Sequence, residues 1–118
     1  MDQYSPLGCF IQEWMCYLEL HGHRVKRAKR PDALSSWDGR GLRYRWLLRC
    51  AEEDQMVLNA AEQRAIRSQA RLARRAGEQC FVVVKFGHPG GTAIAVPAAK
   101  AVSARQLSSS RGAIPLDC

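Results

Sequence analysis

One α/β domain, a central mixed β-sheet flanked by helices in the order α-β-β-β-α-β-β, is the fold class this sequence predicts. Three observations predict it. Apolar residues recur at helical spacing over residues 6–22 and 59–77. The segment QCFVVVKF is β-branched and apolar on both sides, and an Asp38-Gly39 pair separates two alternating runs. A chain of 118 residues with 47% hydrophobic content can build one core and is too short for two.

The first helix opens at Ser5-Pro6, a hydroxyl cap followed by a proline that suits the first turn, and stops near Gly22. Leu7, Phe10, Ile11, Trp14 and Leu18 form its core stripe. Cys9, Cys16 and Leu20 add a second apolar strip, which leaves Gln12 and Glu19 as the wet face. Glu13 falls among non-polar neighbours, where a carboxylate needs a cationic partner, a metal, or a route to water. The segment HRVKRAKRPD is a basic strand with little alternation, so an edge position is expected, because so many cations cannot all be buried.

Within DALSSWDGRGLRYRW, Asp38-Gly39 predicts a two-residue hairpin turn, since a type I′ turn needs positive φ at both central residues. On the returning strand Leu42, Tyr44, Trp46 and Leu48 face one way, while Arg43, Arg45, Leu47 and Arg49 face the other. After the acidic patch Glu52, Glu53, Asp54, a helix begins at Asn59 with Glu62 in capping-box position and runs to Gly77. Arg64, Arg67, Arg71, Arg74 and Arg75 share one of its faces, opposite Ala65, Ile66, Leu72, Ala73 and Ala76. QCFVVVKF is a central strand, GHPGG a loop, TAIAVP a further strand and PAAKAV a helical turn. The division expected is a domain over residues 1–102 and a mobile tail, or a partner-ordered arm, over 103–118.

The net charge of +7 favours a polyanionic partner. Candidate phosphate contacts are Arg24, Lys26, Arg27, Lys29 and Arg30 on the basic strand and its end, Arg43, Arg45 and Arg49 on the hairpin, and Arg64, Arg67 and Arg71 on the second helix. No apolar run approaches a membrane span and the amino end lacks a signal-peptide layout, so a cytoplasmic protein that does not engage membranes is expected. Five cysteines with no C-x-x-C pair read as buried free thiols in a reducing compartment. His21 and His23 lack nearby ligands at zinc spacing, and His88 belongs to a loop.

In order and spacing, residues 7 to 102 resemble the archaeal-type Holliday junction resolvases, within the PD-(D/E)xK, restriction-endonuclease-like nucleases. The likeness rests on the first helix with Glu13, on Pro31-Asp32, on the strand that follows, on the helix ending ARRAGEQ, and on CFVVVKF leading to AIAVPAAKAV. The resemblance implies an endonuclease-like fold, a homodimer, and a role in DNA recombination or repair. It also implies a site where an aspartate after proline and a Glu-x-Lys on the next strand hold Mg²⁺ for phosphodiester hydrolysis. Asp32 matches the first position; Leu47 stands at the glutamate and Arg49 at the lysine. Leucine cannot ligate magnesium, and arginine cannot act as a base at working pH.

Three readings follow. The first is a DNA-binding protein for duplex or branched DNA on a resolvase scaffold with an eroded hydrolytic site. The second is an active Mg²⁺-dependent endonuclease whose missing acid is supplied by Glu62, Glu52 or Glu53 beside Asp32 and Glu13, with Lys85 as the amine. The third is an inactive dimerisation subunit or protein-interaction module.

Overall fold

Helix α1 spans Pro6–Leu20 and is followed by strands β1 (Arg24–Arg27), β2 (Ala33–Trp37), β3 (Arg43–Ala51) and β4 (Gln55–Val57). Helix α2 (Ala60–Arg75), strands β5 (Glu78–Phe86) and β6 (Thr92–Pro97), helix α3 (Ala98–Ala104), and strands β7 (Gln106–Ser108) and β8 (Ile114–Pro115) complete the order. The computed structural model describes residues 6–28, 32–87, 92–108 and, for the backbone, 114–115. Six strands form one mixed sheet in the order β1-β2-β3-β5-β6-β8, with β3 and β5 parallel and the other neighbours antiparallel. The expected α/β class and the order of its main elements hold. No helix among the described residues is long and apolar enough to cross a membrane.

The sheet has a core on each face. Phe10, Ile11, Trp14 and Leu18 of α1 pack on Leu34, Trp46, Leu48 and Val83. Ile66 of α2 and Ala98 and Ala101 of α3 pack on Ala33, Leu47, Val82, Val84 and Phe86. The alternation read along β3 therefore sends Trp46 and Leu48 to α1 and Leu47 to α2. Val82, Val83 and Val84 are each 0% exposed, which explains why β5 reads as apolar on both sides. Strand β1 pairs with β2 alone, the edge position its charges require.

Several local expectations are corrected. Trp37 pairs with Arg43, so the hairpin closes through a five-residue loop, 38–42, rather than the two-residue turn. Asp38 organises it: its Oδ1 accepts from the backbone N–H groups of Arg40 and Leu42, while Gly39 and Gly41 take φ of +82° and +97°. These two N–H groups, the Arg40 one first, hold the Asp38 carboxyl below its ordinary pKa. At α2 only half of the capping box forms. Asn59 Oδ1 accepts from the Glu62 N–H at 2.8 Å, but the Glu62 carboxylate turns to Arg49. Leu72, expected on the buried side of α2, is 45% exposed.

The segment expected as a mobile tail is partly built into the domain. Strand β7 pairs with β4 with Leu107 buried, and β8 pairs with β6; residues 109–113 and 116–118 lie outside the described residues. Cys16 and Cys50 are exposed rather than buried, and Cys118 lies outside the described residues. No disulfide joins the described cysteines. Cys80 is partly covered, and burial pushes its thiol pKa up to about 11. His23 faces Ser36 Oγ, which also accepts from Trp46 Nε1, and desolvation lowers its pKa against the opposing pull of Asp38. It serves the packing under α1.

Candidate functional site

Because Leu47 faces α2, Arg45 and Arg49, two residues to either side, face it too. Arg49 uses its planar fork on two acids at once. Its Nη1 donates to Asp32 Oδ2 at 2.9 Å and to the Leu48 carbonyl at 2.9 Å, and its Nε donates to Glu62 Oε2 at 3.0 Å. Asp32 is held in place where the chain enters β2, since its carbonyl accepts from the Leu48 N–H at 2.9 Å. Glu62 comes from the first turn of α2. Two carboxylates from distant parts of the sequence thus converge on one guanidinium, which fills the space between them with a fixed positive charge.

This arrangement does not fit the magnesium site that the resemblance implies. Leu47, at the position of the second ligand, is 1% exposed within the α2-side core and has no ligating atom. Asp32 and Glu62 both bond to Arg49. Among the described residues no three His, Cys, Asp or Glu side chains form a group that could hold a metal ion. Glu52 and Glu53 lie exposed in the bend between β3 and β4.

Glu13 projects from α1. It lies on the α1 face, where its Oε1 accepts from Lys85 Nζ at 2.5 Å, so the carboxylate flagged on the first helix has a cationic partner. Lys85 is 4% exposed, a buried ammonium. It sits beside Cys50 in the β3–β5 register. Although the residue as a whole is exposed, partial desolvation of its thiol raises the Cys50 pKa, with Lys85 pulling the other way.

Arg45 is likewise engaged inside the protein. Its Nη2 lies 2.9 Å from Glu78 Oε1 and its Nη1 donates to Gln69 Oε1 at 3.2 Å. Glu78 also accepts from Ser35 Oγ at 3.2 Å. Arg45 and Arg49, expected at phosphates, both reach α2, Arg45 through Gln69 and Arg49 through Glu62. Sequence reading missed Glu78 as a partner, because only the parallel register of β3 and β5 brings it alongside Arg43 and Arg45.

Past the end of α2 the same sheet face lies open. A hollow of about 230 Å³ is lined by Arg24, Lys26, Ser35, Trp37, Arg43 and Glu78. A second, of about 440 Å³, is lined by Lys26, Arg27, Ser35, Arg45, Gln69 and Leu72. Sharing Lys26 and Ser35, the two make one groove between the β1 edge and α2. Arg24, Lys26, Arg27 and Arg43 are exposed along it. The only acid lining it among the described residues, Glu78, is already paired with Arg45. Lys29 and Arg30 lie outside the described residues.

The α2 arginines occupy a different surface. Arg64, Arg67 and Arg71 are exposed as expected, on the side of α2 turned away from the sheet. Arg67, Arg71 and Arg74 rim a hollow of about 470 Å³ whose floor is Ile66, Ala70, Ala98, Ala99 and Val102. Among the described residues, the cations predicted from sequence therefore divide into three sets: the open sheet groove, the outer face of α2, and internal ion pairs.

A search of solved structures finds Hjc of Archaeoglobus fulgidus, a Holliday junction resolvase from an archaeal hyperthermophile, at a TM-score of 0.68 and 16% sequence identity. The match covers 95% of this chain and 93% of that chain. No protein-family model and no curated protein matches. At this identity the likeness is one of fold, and the resolvase-like endonuclease fold expected from the sequence is the fold observed.

Proposed function

We propose that this chain binds DNA, branched DNA in particular, through the open sheet groove and the outer face of α2, without hydrolysing it, in recombination or repair. The observation that carries the reading is Arg49 held between Asp32 and Glu62, with a buried leucine at the neighbouring ligand position. On a scaffold shared with a Holliday junction resolvase, that arrangement gives up the metal-binding position and leaves the surrounding cations. Arg24, Lys26, Arg27 and Arg43 project from the groove with their charges exposed, the form in which cations neutralise phosphates and release counterions. Two basic surfaces separated by a helix suit the diverging arms of a junction better than a single straight duplex. The expected homodimer belongs to the same proposal, with exposed Cys16 and Leu20 on α1 as apolar surface available to a second copy.

Binding in EDTA tests the reading. Affinity for a four-way junction is expected to fall steeply and linearly on a log scale with salt, because counterion release drives it. The triple variant Arg24→Ala, Lys26→Ala, Arg43→Ala is expected to lower the magnitude of that slope by about 3, roughly one per phosphate contact removed. Arg67→Ala with Arg71→Ala is expected to lower it by about 2. Affinity that stays flat across salt would reject DNA as the partner and favour a protein-interaction module.

A further inference from the structure

Trp37 ends β2, and alternation places it on the groove face with Ser35, while Ser36 turns to His23 and Trp46 on the α1 side. Trp14 and Trp46 are 1% and 8% exposed, whereas Trp37 is 40% exposed. Its cross-strand neighbours are both arginines: Arg24 on β1 and Arg43 on β3. The Arg24 guanidinium carbon lies 5.5 Å from the Trp37 ring centroid, so a planar cation already sits over the indole. An exposed indole flanked by cations on both strands is a poor seat for a second copy, which would bring the same positive charges. It matches a ligand that carries flat apolar faces between negative charges.

We propose that Trp37 is a stacking platform for an unpaired nucleobase, with Arg24 and Arg43 holding the phosphates to either side. The inference rests on the DNA-binding reading above and adds what the surface selects. In continuous duplex the base faces are buried against one another, so only an unstacked base, at a branch point, bulge or gap, can offer its face to the ring. Arg24, displaced from the indole by the base, then moves to the adjoining phosphate.

The test compares a duplex bearing one central unpaired thymine with the same duplex fully paired, in EDTA at fixed salt. Wild-type protein is expected to prefer the unpaired-base duplex by about tenfold, within the range that base–aromatic stacking supplies. Trp37→Ala is expected to bring the ratio of the two affinities close to one, and Trp37→Phe, which keeps a smaller ring, to give an intermediate ratio. The unpaired-base duplex should also quench intrinsic tryptophan fluorescence, and Trp37→Phe should remove most of that quench. Equal wild-type affinities, or a preference that survives Trp37→Ala, would overturn the stacking proposal while leaving DNA binding standing. So would a fluorescence change that depends on protein concentration alone, which would mean that a second copy covers the ring. Failure to bind either duplex would instead overturn the DNA-binding reading itself.

Discussion

Replacing Arg49 by alanine is expected to destabilise the protein by about 2–4 kcal/mol, somewhat less than the roughly 3–5 kcal/mol for breaking a fully buried ion pair. Asp32 and Glu62 would then lose the guanidinium that now lies 2.9 Å and 3.0 Å from them. Their side chains are 20% and 34% exposed, so water offsets part of the cost. In a domain of this size the melting temperature should fall by roughly 10 °C. Arg49→Lys keeps the charge but not the planar fork, and should fall between the two. The variant also reports on what the guanidinium replaces. With Arg49 removed, millimolar Mn²⁺ or Mg²⁺ should raise the melting temperature of the alanine variant by more than that of the wild type, since a cation taking the place of the guanidinium beside Asp32 and Glu62 stabilises only the folded state. Unchanged stability in Arg49→Ala would mean that the bridge is incidental.

A comparable loss, about 3–5 kcal/mol, is expected for Glu13→Ala, because Lys85 would be left as an unpaired ammonium with a side chain only 5% exposed. The double variant Glu13→Leu, Lys85→Met removes both charges and keeps apolar volume, so it should recover most of that stability. Urea unfolding of the single and double variants measures the difference. If the double variant is as unstable as Glu13→Ala, the cost lies in packing at α1 rather than in the stranded charge.

What could be read from sequence follows the range of the interactions. The alternation of β3, the two-sided β5 and the Asn59 cap are local patterns, and each holds in the fold. Glu13 was conspicuous because its helix neighbours are apolar, yet its partner stands 72 residues away and only the sheet's register reveals it. The same applies to Arg49. Its position in the motif was legible, but Asp32 and Glu62 reach it from 17 and 13 residues away, and a guanidinium expected at a phosphate proved to be satisfied internally. Strands β4 and β7 are three residues each, QMV and QLS, too short to show periodicity, so the chain end looked patternless. The Asp38-Gly39 pair signalled a turn correctly, but Gly41, also at positive φ, lengthens it. Trp37 carries no local signal of exposure, because an aromatic residue in a strand is ordinarily core; only the absence of α2 side chains from the groove around it leaves it open.

The most direct test is incubation of the purified chain with a labelled four-way DNA junction in Mg²⁺ or Mn²⁺, compared with EDTA. The proposed function, in which Arg49 takes the metal position and the groove cations bind DNA, predicts a protein–junction complex of equal affinity in both conditions and strands that stay intact at every protein concentration. Metal-dependent strand cleavage that disappears in Asp32→Ala would contradict it.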